Sequence, residues 1–315
     1  MDATRKIRNC LYMDITLMHW IGRHVLNLVA HTRRAPWLIC AILSLPFCAV
    51  AAPEDKPPFY KLTWHGQQAF LLGSIHVGKA DFYPMATQIE QAFAKSTALV
   101  IEADIEKADT VSLLAQYGAA SAKLQEQAQL ATSNYCQQMQ PLCAAIKPLA
   151  PWLQAAQISM VRFANLGYSA QQGVDVTFSA KRQSKALLEL ESVAFQFELI
   201  SSFKDKTQLQ MLDEAINATD AEMTGLIQAW RTGNEAELAA IMTQQAGDED
   251  ELLSKLLWQR NHTMSDKMLV MMQQQSDQQL FFIIGAGHLV GQQNIPDLLR
   301  QQGAQVQACW QHSCI

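Results

Sequence analysis

The sequence predicts an α/β (α+β-like) protein: a central mixed sheet carrying a large helical insertion and flanking helices. Three observations lead there. Apolar runs of strand length recur towards both ends of the chain, at 59–64, 68–75, 98–101 and 280–284. A long middle stretch is rich in Ala, Gln and Leu and keeps its apolar residues at helical spacing. Two of the apolar runs end alike, in Gly73-Ser74-Ile75-His76 and Gly285-Ala286-Gly287-His288.

Taken in order, the chain opens with an apolar stretch at 37–50 behind Arg33 and Arg34, closing on Ala49-Val50-Ala51. Basic flank, short apolar core and A-x-A site make residues 1–51 a secretory signal peptide too short to span a membrane. The basic flank is long if translation starts at Met1, and Met18 is an alternative start. Cleavage removes six basic and two acidic residues and moves the formal charge from −5 to −9. Such a chain is a poor partner for nucleic acid or anionic membrane surfaces. No later apolar run reaches spanning length, so residues 52–315 read as one exported domain, periplasmic or secreted, with no transmembrane span. Four cysteines follow the cleavage site as two local pairs, Cys136 with Cys143 and Cys309 with Cys314. In an oxidising compartment they read as disulfides; neither spacing is a C-x-x-C zinc knuckle.

The runs at 59–64 and 68–75 flank His65-Gly66 and read as a hairpin. A third strand, 98–101, leads into Glu102. Residues from about 109 to 180 form the helical insertion, broken at Asn134, Pro141, Pro148 to Pro151 and Gly167. A short strand at 185–190 leads into Glu191, and helices follow at 193–203, 207–217, 220–231 and 235–245. One long helix is expected from 247 to about 275, then strands at 280–284 and 304–309 around a helix at 294–302.

Four strand ends therefore carry His76, Glu102, Glu191 and His288. A glycine at a strand end permits a sharp turn, and the carboxyl rim is where open α/β sheets place ligands. Two imidazoles and a carboxylate are a donor set for a divalent ion that leaves positions open for water. Each residue alone could equally be a turn histidine or a helix-capping carboxylate; their agreement is the signal. Arg260 and Asn261, on the long helix, could stabilise an oxyanion or hold a carboxylate ligand. Gly285 to Gly291 is a poor dinucleotide loop, because its last glycine falls one residue late and too little chain follows. There is no Gly-x-Ser-x-Gly elbow and no H-E-x-x-H helix.

In this order the pieces resemble the TraB/GumN family, which includes the Tiki metalloproteases and is related to the erythromycin esterase superfamily. The resemblance rests on Leu71-Leu72-Gly73-Ser74-Ile75-His76, Val100-Ile101-Glu102, Lys147-Pro148 with Trp152, and Gly173-Val174-Asp175. It continues through Leu190-Glu191 with Gln196, Arg260-Asn261, and Gly285 to Gly291. Ser192 stands where the family usually has threonine, and Pro151-Trp152 comes later than the usual Lys-Pro-Trp. The resemblance implies metal ligation by His76 and His288, with Glu102 and Glu191 as acidic partners and Arg260 and Asn261 as polar support. The function expected is a periplasmic metal-dependent hydrolase, peptidase-like, holding Mn, Co or Zn at His76, His288 and Glu102. Glu191 is then the candidate general base or an additional ligand. The alternative is a non-catalytic protein that sequesters a peptide or small molecule in the same cleft. Either way the two rings are expected within about 8 Å of each other, facing a common cleft that Glu102 also lines.

Overall fold

The computed structural model describes residues 55–243, 251–312 and 314–315; the expected signal peptide lies outside them. Its centre is a six-stranded mixed sheet in the order β4-β3-β5-β2-β1-β6. Strand β1 (Phe59–Trp64) turns back into β2 (Gln67–Ser74) through His65 and Gly66, both at positive φ, 48° and 81°. That is the two-residue turn whose twist suits a hairpin, and the expected one is present. Strands β2, β3 (Ala98–Ile101), β4 (Ala186–Glu189) and β5 (Leu280–Gly285) run parallel. β6 (Gln305–Ala308) pairs antiparallel with β1 at the edge. Strand boundaries lie within a residue or so of those read from the sequence.

Both faces of the sheet are covered, so its central strands are apolar on every residue rather than on alternate ones. On one face Leu71, Val100, Phe282 and Ile284 pack on Met264, Met268 and Met272. On the other, Phe70, Leu72, Leu99, Phe281 and Ile283 belong to a larger cluster with residues of the other helices, such as Phe178, on which the Phe281 ring stacks at 5.9 Å; the helix Ile295–Gln301 packs on the first face.

Helix α1 (Thr87–Lys95) joins β2 to β3. Between β3 and β4 stand α2 (Thr110–Tyr117), α3 (Ala122–Gln138), α4 (Gln140–Ile146), α5 (Pro151–Asn165) and α6 (Val174–Lys181). After β4 come α7 (Val193–Ser201), α8 (Asp205–Asn217), α9 (Asp220–Thr232) and α10 (Glu235–Thr243). The expected start of the long helix, 247–250, lies outside the described residues; from there a turn at Glu251–Leu253 passes into a π-helical stretch, Ser254–Trp258, before α11 (Gln259–Gln274). A π stretch inserts an extra residue per turn and shifts the phase of everything after it, which apolar periodicity does not reveal. Helix α12 (Ile295–Gln301) leads to β6. Among the described residues no helix is long and apolar enough to cross a membrane.

Both local cysteine pairs are bonded, Cys136–Cys143 and Cys309–Cys314. The loops they close are short, so replacing either pair by serine should cost about 2 kcal/mol in urea unfolding. A non-reducing digest should recover each pair as one linked peptide; cross-linking to other cysteines would contradict this pairing.

Candidate active site

The parallel register sets the site. Gly73 lies opposite Ile284, Ser74 opposite Gly285 and Ile101 opposite Ile283, so β2, β5 and β3 end on one rim. Glu191 reaches the same rim, its backbone N–H donating to the Glu102 carbonyl at 2.7 Å. The strand ends thus bring His76, Glu102, Glu191 and His288 to one region, and α11 adds Arg260 and Asn261 from the face above.

Arg260 is the hub. Its Nε donates to Glu191 Oε1 at 2.9 Å and its Nη2 to Glu191 Oε2 at 2.8 Å, a forked pairing. The same Nη2 donates to Glu102 Oε2 at 2.9 Å, and Nη1 to the Leu256 carbonyl at 3.0 Å. Glu102 Oε1 accepts from the Gly285 backbone N–H at 2.6 Å, and Gln196 Nε2 donates to Glu191 Oε2 at 3.1 Å. All three charged side chains are buried. Two carboxylates around one guanidinium leave the cluster with a formal charge of −1.

Each histidine is oriented through Nδ1. Asn261 Nδ2 donates to the Gln293 carbonyl at 2.8 Å, which turns its Oδ1 to His288 Nδ1 at 2.5 Å. An amide oxygen only accepts, so Nδ1 of His288 carries the hydrogen and Nε2 keeps its lone pair. That Nε2 is buried, has no hydrogen-bond partner, and stands 3.9 Å from Glu102 Oε2. Burial holds the His288 pKa well below the ordinary histidine value, with the neighbouring Arg260 and His76 adding to the effect. His76 Nδ1 meets Asp175 Oδ1 at 3.0 Å.

The expected open cleft is not what the structure has. His76 is 4 % exposed and His288 1 %. The π-helical turn packs on the Ala286–Leu289 turn that carries His288, and the start of α6 docks on the His76 backbone, so both strand ends are covered. A cleft of about 570 Å³ lies beside the His288 turn, lined by Tyr60, Glu235, Leu289, Val290, Asp297 and Trp310 among others, but none of the six candidate residues lines it. The Glu191 oxygens accept from Arg260 and Gln196.

Among the described residues no three His, Cys, Asp or Glu side chains stand ready-made around a cation. The donor chemistry nonetheless fits a divalent ion. His288 Nε2 is an orphaned buried lone pair, and two bonds of about 2.1 Å can span its 3.9 Å separation from Glu102 at a wide angle. Asp175, Gln196 and Gln293 are the participants that strand-end reasoning missed. Asp175 stands in the Gly173-Val174-Asp175 motif, but nothing local ties it to His76.

Residues 58–308 match the model of the TraB/PrgY/gumN family, and the chain belongs to that family. It is 28 % identical over 256 residues to the uncharacterized protein YbaP of Escherichia coli (strain K12), covering 77 % of this chain and 92 % of that one. YbaP of Shigella flexneri is 27 % identical over the same shares. A 75-residue stretch, 22 % of this chain and 15 % of the other, is 30 % identical to a metalloprotease TIKI homolog of Amphimedon queenslandica. No solved structure matches the chain.

Proposed function

We propose that the protein is a periplasmic, metal-dependent hydrolase acting on a peptide. One observation carries this reading. In a buried site, the unpartnered Nε2 of a neutral His288 stands 3.9 Å from Glu102 Oε2, a spacing that two metal–ligand bonds can span. His76 and His288 would hold the ion through Nε2, with Glu102 as third ligand; Mn, Co and Zn all suit imidazole and carboxylate. When bound, such an ion supplies Lewis-acid polarisation of a carbonyl and a water of lowered pKa.

The chain's own residues do the rest. Asp175 and Asn261 orient the two rings through Nδ1, and the Gly285 N–H with Arg260 fixes the Glu102 carboxylate beside His288. Glu191 stands beside Glu102 as the candidate general base or additional ligand. Glu191 braces Arg260. The stretch shared with the TIKI homolog agrees with this chemistry, and the two disulfides agree with an oxidising compartment.

The covered rings favour a second reading, a binding protein that holds a peptide or small molecule in the neighbouring 570 Å³ cleft without turnover. Two measurements separate them. Metal content after mild purification should be near stoichiometric in the wild type and lost in the His76→Ala/His288→Ala double variant; equal, trace metal in both removes the site. A peptide-library digest with added Mn, Co or Zn should show cleavage that Glu102→Gln abolishes, whereas no turnover with any ion leaves the binding protein. N-terminal sequencing of the exported form should begin near Ala52.

A further inference from the structure

We infer that Asp175 is a positioning residue whose task is to fix the tautomer and angle of His76, and that the segment before α6 is built to deliver it. The inference deepens the hydrolase reading and rests on it for the purpose of the tautomer, though not for its existence. Asp175 is 9 % exposed, and its Oδ1 lies 3.0 Å from His76 Nδ1. A carboxylate only accepts, so the nitrogen facing it, Nδ1, is the N–H.

The delivery is rigid. Gly78 and Ser169 exchange both backbone hydrogen bonds, at 2.9 and 2.8 Å, and Val174 N–H donates to the Ile75 carbonyl at 3.0 Å. Gly173 is pressed so tightly on this strand end that a Cβ there would lie 2.7 Å from the His76 carbonyl oxygen. Ser169, Gly173 and Val174 are thereby held on residues 75–78, and Asp175, in the first turn of α6, is set against the ring. His288 receives the same service from a neutral amide, Asn261, so the two rings are matched in tautomer by partners of different charge.

The test uses protein labelled with ¹⁵N-histidine and stripped of metal, with His76 assigned by its loss in His76→Gln. The wild-type spectrum should show His76 protonated at Nδ1. Asp175→Ala should lose that preference and bind Co(II) about 10–100-fold more weakly, with an altered visible spectrum. Asp175→Asn, which still offers an amide oxygen, should recover most of both. An Nε2–H tautomer in the wild type overturns the inference without any variant, as does a tautomer unmoved by Asp175→Ala. If the tautomers behave as stated while Co(II) fails to bind through the histidines, Asp175 stands and the metal-dependent reading falls. Should Asp175→Ala not fold, the wild-type spectrum and Asp175→Asn decide.

Discussion

Arg260→Met should destabilise the protein by roughly 3–5 kcal/mol, because it strands two buried carboxylates that share one guanidinium. Glu102 and Glu191 are 3 % and 7 % exposed, so water cannot replace the lost donors. The Gly285 N–H and the Gln196 amide remain, one bond to each carboxylate, against the three N–H groups that Arg260 supplies. Arg260→Lys keeps the charge but loses the fork, and should fall between Met and wild type. Neutralising the partners as well, with Glu102→Gln and Glu191→Gln on the Met background, should recover a large part of the loss, since a cluster removed whole leaves no buried charge. Urea unfolding of the four proteins checks this. A loss below about 1 kcal/mol for Arg260→Met, the range of an exposed pair, would show that the cluster is wetter than its burial indicates.

The same cluster marks how far the sequence could be read. The strand ends were legible because an apolar run stopped by Gly-x-x-His is a local pattern, and the hairpin because His65-Gly66 is a local turn. Both followed from chemistry within a few residues. Partnership was not legible. Glu191 reads as a base or ligand with no local partner, and its oxygens accept from a residue 69 positions away on α11. Asn261 looked like support for a carboxylate or an oxyanion, and it instead orients His288 from 27 positions away. Asp175 had no visible partner at all, since its 99-position separation from His76 is bridged only by the docking of the 169–175 segment. Burial was equally hidden. The π-helical turn that helps cover the rim has the same residue types as an ordinary helix, and its extra residue per turn is set by packing rather than by composition.

The covered, neutral state of His288 makes a second large effect measurable. Its folded pKa is lowered, so between that value and the unfolded value near 6.5 the unfolded chain binds a proton that the folded chain refuses. The contribution is fully present above about pH 6.5 and drains away as pH falls below it, with a slope approaching 1.4 kcal/mol per pH unit from this group alone, on the order given by proton linkage. His288→Gln replaces the ring with a side chain that does not titrate. The variant should therefore be less stable than wild type at pH 7, having lost the bond to Asn261, while its stability should fall less steeply between pH 6.5 and 5. Unfolding free energies of both proteins across that range, in the presence of a chelator, give the comparison. The other carboxylates and histidines titrate in both proteins and cancel in the difference. Parallel curves would mean that His288 takes up its proton while folded, which is incompatible with a ring sealed beside Arg260. Repeating the series with Zn(II) in place of chelator adds a second sign. An ion on Nε2 competes for the same lone pair as the proton, so the wild type should gain stability at neutral pH and lose that gain on acidification, and His288→Gln should show neither.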